Sequence, residues 1–455
     1  MNAKRIIAGM SALLLLLTSC QESGSGSETE TAMPTTASVR ETSPVTEEQP
    51  AAEPITLTLA SYGSNYIPVV SEFNESQSEY YIEIVDYSKD DTVSKENALK
   101  QINAELASGE GPDLFYLWKL GMNNAIYGPK GYLEDLLPYI DQDPELSRED
   151  FVESLMEGAK IDGKLYGTIP SFSIFTMFGP ESQLSQYQLG TFSDLLEVAQ
   201  THGGMSALLN QDYDATSFLY TIVQIASDEF IDFTTMTADF DNDNFRALLD
   251  LCLQFDDAAR TGQEPGILNL YTINSFMEMQ YYEALYGEPI TFVGCPGATE
   301  ANSYFIDVMD QYGINANSAH KEGAWRFIRM LFTEEYQVDE YVDSAFPSFP
   351  SNKKALQALA EKSMSTLYDS DEDGNQWEMT QRGEHDGFDY HAATQAQVDQ
   401  VMELIHGASK TSYYTSVILS IVREEGETFV AGDATADQTI EKIQNRVNTY
   451  LSEQK

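Results

Sequence analysis

Basic residues, cysteine, histidine and tryptophan are all scarce in this chain, and each shortage closes off a class of function. Lysine and arginine number 25 against 73 aspartates and glutamates, a formal charge of −48. Nucleic acid is gripped mainly by cations on its phosphates, so this balance excludes it as a partner. The three cysteines show no Cys-x-x-Cys spacing and so no thiol metal site. Cys252 and Cys295 stand alone in sequence, and two buried free thiols are the expectation. There is no His-Glu-x-x-His, no Gly-x-Ser-x-Gly elbow and no phosphate-cradling glycine loop. Acidic pairs such as Glu134–Asp135 are common because acid is common, so none marks a glycosidase dyad. No catalytic constellation and no cofactor motif stands out, and the expectation is of a chain that is not an enzyme and carries no cofactor.

What is present begins at the N-terminus. Lys4 and Arg5 precede a short apolar run, Ile6 to Leu17, closed by Leu17-Thr18-Ser19-Cys20. That run is too short to span a bilayer comfortably and reads as an export signal over residues 1–19. Its ending resembles the bacterial lipobox, which implies that Cys20 carries lipid and that the protein sits on the outer face of the cytoplasmic membrane. One acyl chain binds membranes marginally, whereas two anchor stably. Residues 20–54 lack aromatics and are rich in Ser, Thr, Glu and Pro. Such a segment cannot bury enough apolar surface to fold, and it reads as a flexible stalk. No later stretch is apolar and long enough to cross a membrane.

From Ile55 about 400 residues remain, enough for two lobes. Residues 55–60 alternate with period two and stop at Ser61-Tyr62-Gly63, a strand and a turn. Val69, Val70 and Phe73 follow at helical spacing, with Asn74 as a stop. Residues 81–85 read as a second strand. Ser94 is a suitable N-cap for a helix carrying Leu99, Ile102 and Leu106, ended by Gly109. A third apolar run starts at Asp113. This βαβαβ order predicts a parallel sheet with right-handed crossovers. Further on, residues 131–138 predict a turn or short helix ended by Pro138. Asp162-Gly163 predicts a hairpin, and residues 169–175 predict an aromatic-rich strand. Thr191 or Ser193 caps a helix, and residues 244–255 and 322–332 predict two more. The last helix, from Ala436 to Leu451, carries a core stripe of Ile440, Ile443, Val447 and Leu451.

Ligands of open α/β sheets bind beyond the carboxyl ends of the strands. That rule selects Ser61, Tyr62, Ser64 and Asn65 after the first strand, and Trp118 and Lys119 after the third. Trp118 could be core or a flat surface at a cleft rim, and the apolar run already present before it favours the cleft. One metal look-alike occurs. Asp369, Asp371, Asp373 and Gly374 match the first half of an EF-hand loop, but Thr380 stands where a bidentate Glu belongs. The stretch reads better as an acidic hairpin turn. Glu384-His385-Asp386 lacks ligand spacing.

Several landmarks occur in order: residues 107–114 (ASGEGPDL), 131–136 (GYLEDL), 162–170 (DGKLYGTIP), and 312–318 (YGINANS) continuing to 321–328 (KEGAWRFI). Together with the lipobox and stalk, they resemble the family 1 extracellular solute-binding proteins of bacterial ABC importers, the maltose-binding-protein-like group. The resemblance implies a two-lobed α/β periplasmic-binding-protein-like fold of class II, with hinge strands between the lobes. The expected bounds are 55–168 and 296–345 for lobe 1, and 169–295 and 346–455 for lobe 2. Crossings are expected near Gly167–Ser171, Val293–Pro296 and residues 346–349. It also implies a mono- or oligosaccharide bound between the lobes, permease subunits as partners, and a monomer. Trp118 matches the family's stacking aromatic, although Lys119 and Leu120 replace the charged pair that follows it in the maltose binder. Ser61, Tyr62 and Asn65 match a ligand-contacting loop. Phe172, Ser173, Pro296 and Gly297 match cleft positions beside the crossings. A peptide or polyamine ligand in the same fold, a surface sensor or adhesin without transport, and a glycan-cleaving enzyme are the rival readings.

Overall fold

Two sheets organise the chain, and the period-two alternation that begins at Ile55 starts the first. In the computed structural model, residues 53–454 are described apart from 90, 188, 211–212, 257–265, 298–303, 309, 343–347, 367, 371–375, 379–386 and 412–414. The export signal, Cys20, most of the stalk, Asp371, Asp373, Thr380 and Glu384-His385-Asp386 thus lie outside the described residues. Strand β1 (Ile55–Ser61), helix α1 (Pro68–Ser76), β2 (Tyr80–Asp86), α2 (Lys95–Ala107) and β3 (Leu114–Tyr116) follow in the expected order. β1 pairs in parallel with β2 over its whole length and with β3 at Leu59 and Ala60. Leu57, Leu59, Ile82 and Leu114 face one way, into a core shared with Val70 and Phe73 of α1. Ala60 and Phe115 share the other core with Ile102 and Leu106 of α2. Ser94 caps α2 as expected, accepting from Asn97 N. Each such fully buried Leu, Ile or Phe contributes roughly 1.5–3 kcal/mol.

Past β3 come three short helices, α3 (Leu117–Leu120), α4 (Asn124–Tyr127) and α5 (Leu137–Gln142), and then α6 (Glu153–Gly158). Pro138 opens α5 instead of closing a helix. Its missing N–H is no loss in a first turn, where N–H groups lack partners anyway. The Asp162-Gly163 hairpin forms as expected, with both residues at positive φ and Ile161 bridged to Lys164. α5 ends at Asp143, whose buried carboxylate accepts from Arg329 Nε at 2.7 Å and from Glu145 N and Leu146 N at 3.0 Å. Burial opposes the charged form, but Arg329 and the two N–H groups outweigh it and hold the carboxyl below its ordinary 3.8. A depressed folded value means stability present at neutral pH and lost as pH falls through that value. Asp143→Asn is therefore expected to flatten the acid limb of stability against pH, as read by urea unfolding from about pH 7 to about pH 3.

The chain crosses into the second sheet at residues 168–171. Its axis is β4 (Ser171–Pro180), ten residues buried throughout. Helices α7 (Glu181–Leu184), α8 (Phe192–Thr201), α9 (Met205–Leu208) and α10 (Ala215–Ile225) come next. The ribbon β5 (Ile231–Asp232) and β6 (Thr237–Ala238) then leads to α11 (Asp243–Cys252). Thr191 caps α8 in a reciprocal box with Asp194. β7 (Asn269–Ile273), α12 (Met279–Tyr286), β8 (Ile290–Phe292) and β9 (Phe305–Asp307) complete this segment, and all three strands pair antiparallel with β4.

The return to the first sheet comes later than the expected Val293–Pro296. β9 still belongs with β4, and only β10 (Tyr312–Ile314) pairs with β3. The crossing therefore lies between Asp307 and Tyr312, and residues 305–307, expected in lobe 1, pair with the second sheet. Helix α13 (Lys321–Phe332) covers the first sheet, with Phe327 edge-on to Phe73 at 5.5 Å. After α14 (Glu334–Gln337), β11 (Phe349–Pro350) pairs with Ser171 and Phe172 of β4. Then follow α15 (Lys353–Ser363), the antiparallel pair β12 (Tyr368–Ser370) and β13 (Gln376–Glu378), and α16 (Gln395–Gly407). β14 (Lys410–Thr411), α17 (Ser416–Val430) and α18 (Ala436–Glu453) end the chain. The pairing of β12 with β13 agrees with the hairpin reading of the acidic stretch. Cys252 and Cys295 are buried free thiols. Among the described residues no helix is long and apolar enough to cross a membrane.

Candidate functional site

The carboxyl ends of β1 and β3 face the crossing between β9 and β10, and side chains gather there. Tyr116 ends β3, and α3 is a single turn closed by Gly121 at φ 70°. Leu117 and Leu120 are buried, three apart on the inner side. Trp118 and Lys119 are thereby turned outward, and Trp118 is 41% exposed. This tryptophan is not a core residue. Lys119 Nζ sits 5.1 Å from the centre of its ring.

Beside the ring is a small recess of about 40 Å³, lined by Trp118, Asn123 and Asn124, by Gln224 of α10, and by Asp307 and Gln311 of the crossing. It therefore has walls from both sheets. Asn123 joins them directly: its Oδ1 caps α4 through Ala125 N, and its Nδ2 donates to Thr415 Oγ1 at 2.8 Å, at the start of α17. The main chain is fixed here too, with Leu117 N donating to Gln311 O at 2.9 Å. Tyr116 Oη donates to the Asp310 carboxylate, tying the crossing to β3; that contact and burial push the phenol far up. Such a setting offers one apolar plane, amides that donate and accept, and a carboxylate.

The residues expected at the site divide. Trp118 lines the recess and Lys119 adjoins it. Ser173 is Asp307's partner in the β4–β9 register and so lies next to it. Tyr62 stands at the end of β1, its hydroxyl on Val93 O and its ring under Lys95 Nζ at 5.3 Å. Asn65 is exposed in the following loop. Ser61 is fully buried, and its hydroxyl has no hydrogen-bond partner. Phe172 is a correction: it is 2% exposed and packs on Phe349 in the core. Side chains alternate along β4, and Phe172 shares its inward face with Ile174 and Phe178. Pro296 and Gly297 are buried and do not line the recess, and Gly297 bridges Thr191 at the start of α8.

Sequence reasoning missed Asn123, Asn124, Gln224, Asp307, Gln311, Lys95 and the 65% exposed Tyr66. Met-Asn-Asn directly after the Trp118 turn was an available signal. Nothing local marks Gln224 or Asp307. Among the described residues no group of three or more His, Cys, Asp or Glu is placed to hold a metal ion. A larger cavity, about 420 Å³, lies between α2 and α4 on one side and α17 and α18 on the other. It runs along the flank of α2, away from the strand ends. Volume alone would favour it as a ligand site, but the exposed indole and the amides converge on the smaller recess.

A comparison of folds settles the architecture. The sugar-binding protein MalE of Xanthomonas citri superposes with a TM-score of 0.52 at 13% identity, over 88% of this chain and 98% of that one. The chain has the two-lobed fold of the MalE-type binding proteins. An ABC substrate-binding protein of Listeria monocytogenes in complex with cycloalternan gives 0.49 at 16% identity, covering 88% and 99% of the two chains. The cyclic alpha-maltosyl-1,6-maltose binding protein of Arthrobacter globiformis gives 0.48 at 14%, covering 88% and 100%. The chain matches no protein-family model and no curated protein. In this two-lobed frame the recess at Trp118 occupies the strand-end position between the sheets.

Proposed function

We propose that the protein is the substrate-binding component of an ABC importer, taking a mono- or oligosaccharide between its lobes and passing it to a membrane permease. In the same reading, Cys20 is lipidated and tethers the protein to the outer face of the cytoplasmic membrane, with residues 20–54 as the stalk. The observation that carries the proposal is the outward-facing indole of Trp118, set beside Asn123, Asn124 and Asp307 in a recess with walls from both sheets. A pyranose has an apolar C–H face and a rim of hydroxyls. A flat ring with amides and a carboxylate around it answers both. Two walls matter energetically, because a ligand shifts an open–closed equilibrium only through contacts that differ between the states. Asn123 and Gln311 on one side of the recess, and Gln224 and Asp307 on the other, supply such a pair of walls.

Trp118→Ala is expected to weaken the cognate saccharide by roughly 1–3 kcal/mol, the range found when base-stacking aromatics are removed. Its melting temperature without ligand should stay near that of the wild type, since an exposed ring contributes little to the core. A thermal-shift screen against a glycan panel finds the ligand through mass-action stabilisation, and calorimetry on both proteins then reads the difference. An unchanged dissociation constant would remove Trp118 from the site.

A further inference from the structure

On the first-lobe wall of this site, two lysines lie over two aromatic rings, and neither is neutralised. Lys95 Nζ sits over Tyr62 at 5.3 Å, and Lys119 Nζ over Trp118 at 5.1 Å. Among the described residues neither ammonium has an ion-pair or hydrogen-bond partner. That is unusual in a chain with nearly three acids for every base. Two carboxylates of the same region are already engaged: Glu96 with Lys100 at 2.6 Å, and Asp86 with Gly63 N, Ser88 N and Ser88 Oγ.

Lys95 is also the first residue of the thirteen-residue α2. A helix start carries partial positive charge, so a cation there is on the unfavourable end. Helix α2 packs against α3, which carries Lys119, and burial together with the Lys119 charge pulls the Lys95 ammonium below its ordinary value. Two ammonium groups and a helix start thus converge on one strand-end wall without an internal counter-ion. Such uncompensated charge weakens the empty protein and is relieved when an anion arrives.

We propose that the ligand is an acidic saccharide, its carboxylate or sulfate ester held by Lys95 and Lys119 while Trp118 takes its apolar face. This rests on the carbohydrate reading above and narrows it. It also disfavours a polyamine, which would meet like charge on this wall. Asp307 and the amides opposite are suited to the hydroxyls of the same ligand.

The test uses the full-length protein and calorimetric titration with four probes: digalacturonate, a sulfated chondroitin disaccharide, neutral galactobiose and the acidic dipeptide Glu-Glu. One acidic sugar should bind at least about tenfold tighter than galactobiose, and which one it is separates carboxylate from sulfate. Lys95→Gln and Lys119→Gln should each weaken that sugar roughly tenfold to a hundredfold, the loss of one charge-assisted bond. The ligand-free melting temperature of Lys95→Gln should be unchanged or raised, since repulsion is removed. Equal affinity for acidic and neutral sugars, or a preference that survives both substitutions, overturns the anion site and leaves the carbohydrate reading standing. Binding of Glu-Glu alone, dependent on both lysines, upholds the anion site and overturns the carbohydrate reading. No response to any of the four counts against both.

Discussion

Asp113→Ala is expected to lower the unfolding free energy by about 3–5 kcal/mol, the cost of stranding several partners of one charged group. The Asp113 carboxylate accepts from Thr58 N at 2.9 Å and Thr58 Oγ1 at 3.1 Å on β1, and from Ser318 Oγ at 2.6 Å. Its own carbonyl accepts from Asn315 N, and Asn315 Nδ2 donates to Pro112 O. One aspartate thus fastens β1, β3 and the turn before α13. Alanine leaves the half-buried Thr58 N–H and the Ser318 hydroxyl without their acceptor. Asparagine keeps one acceptor oxygen and should cost clearly less. Urea unfolding of both variants reads the difference; a loss under about 1 kcal/mol for alanine would show that water replaces these bonds easily.

The second large effect is steric. A β-carbon at Gly179 would lie 2.0 Å from the carbonyl oxygen of Ile267 and 2.8 Å from Leu184 Cδ1. The first clash is with backbone, which cannot rotate away. β4 pairs with β7, β8, β9 and β11, so a shift at Gly179 strains the whole second sheet. Gly179→Ala should therefore cost about 3 kcal/mol or more, at or above the usual range for overpacking. The first sheet is built separately, so ligand-free Gly179→Ala should melt first in the second lobe. Hydrogen exchange would show protection lost along β4 and β7 before β1 and β2. A variant as stable as the wild type would mean the β4–Ile267 approach is looser than 2.0 Å implies.

The landmarks that carried the family likeness prove to be contacts with each other. Asn315 of the Gly-Ile-Asn block bonds Pro112, and Asp135 Oδ1 accepts from Leu137 N and Leu165 N. Glu134 pairs with Lys321 at 2.7 Å. Four short motifs scattered over two hundred residues converge on the β10 edge of the first sheet. They report fold and say little about the ligand, which is why the architecture was legible and much of the site was not.

Local chemistry was readable where its cause was local. Ser94 and Thr191 cap because a hydroxyl reaches an N–H within the next turn. The stripe of Ile440, Ile443, Val447 and Leu451 is buried because helical spacing puts those residues on one side. β9 escaped notice because three residues hold no period to detect, and the second crossing was misplaced with it. Phe172 was expected in the cleft, yet which face of β4 points inward depends on β11, a strand of two residues far along the chain.

From its order of residues alone, then, this protein declares its alternating strands and helices, its caps and turns, its surplus of acid and its outward tryptophan. Those depend on neighbours within a turn or a strand. The meeting of Trp118 and Asn123 with Gln224 and Asp307 comes only from packing two sheets around a crossing, and the approach of α2, carrying Lys95, to α3, carrying Lys119, comes from packing within the first lobe. Contacts between residues so far apart leave no periodic trace in the chain.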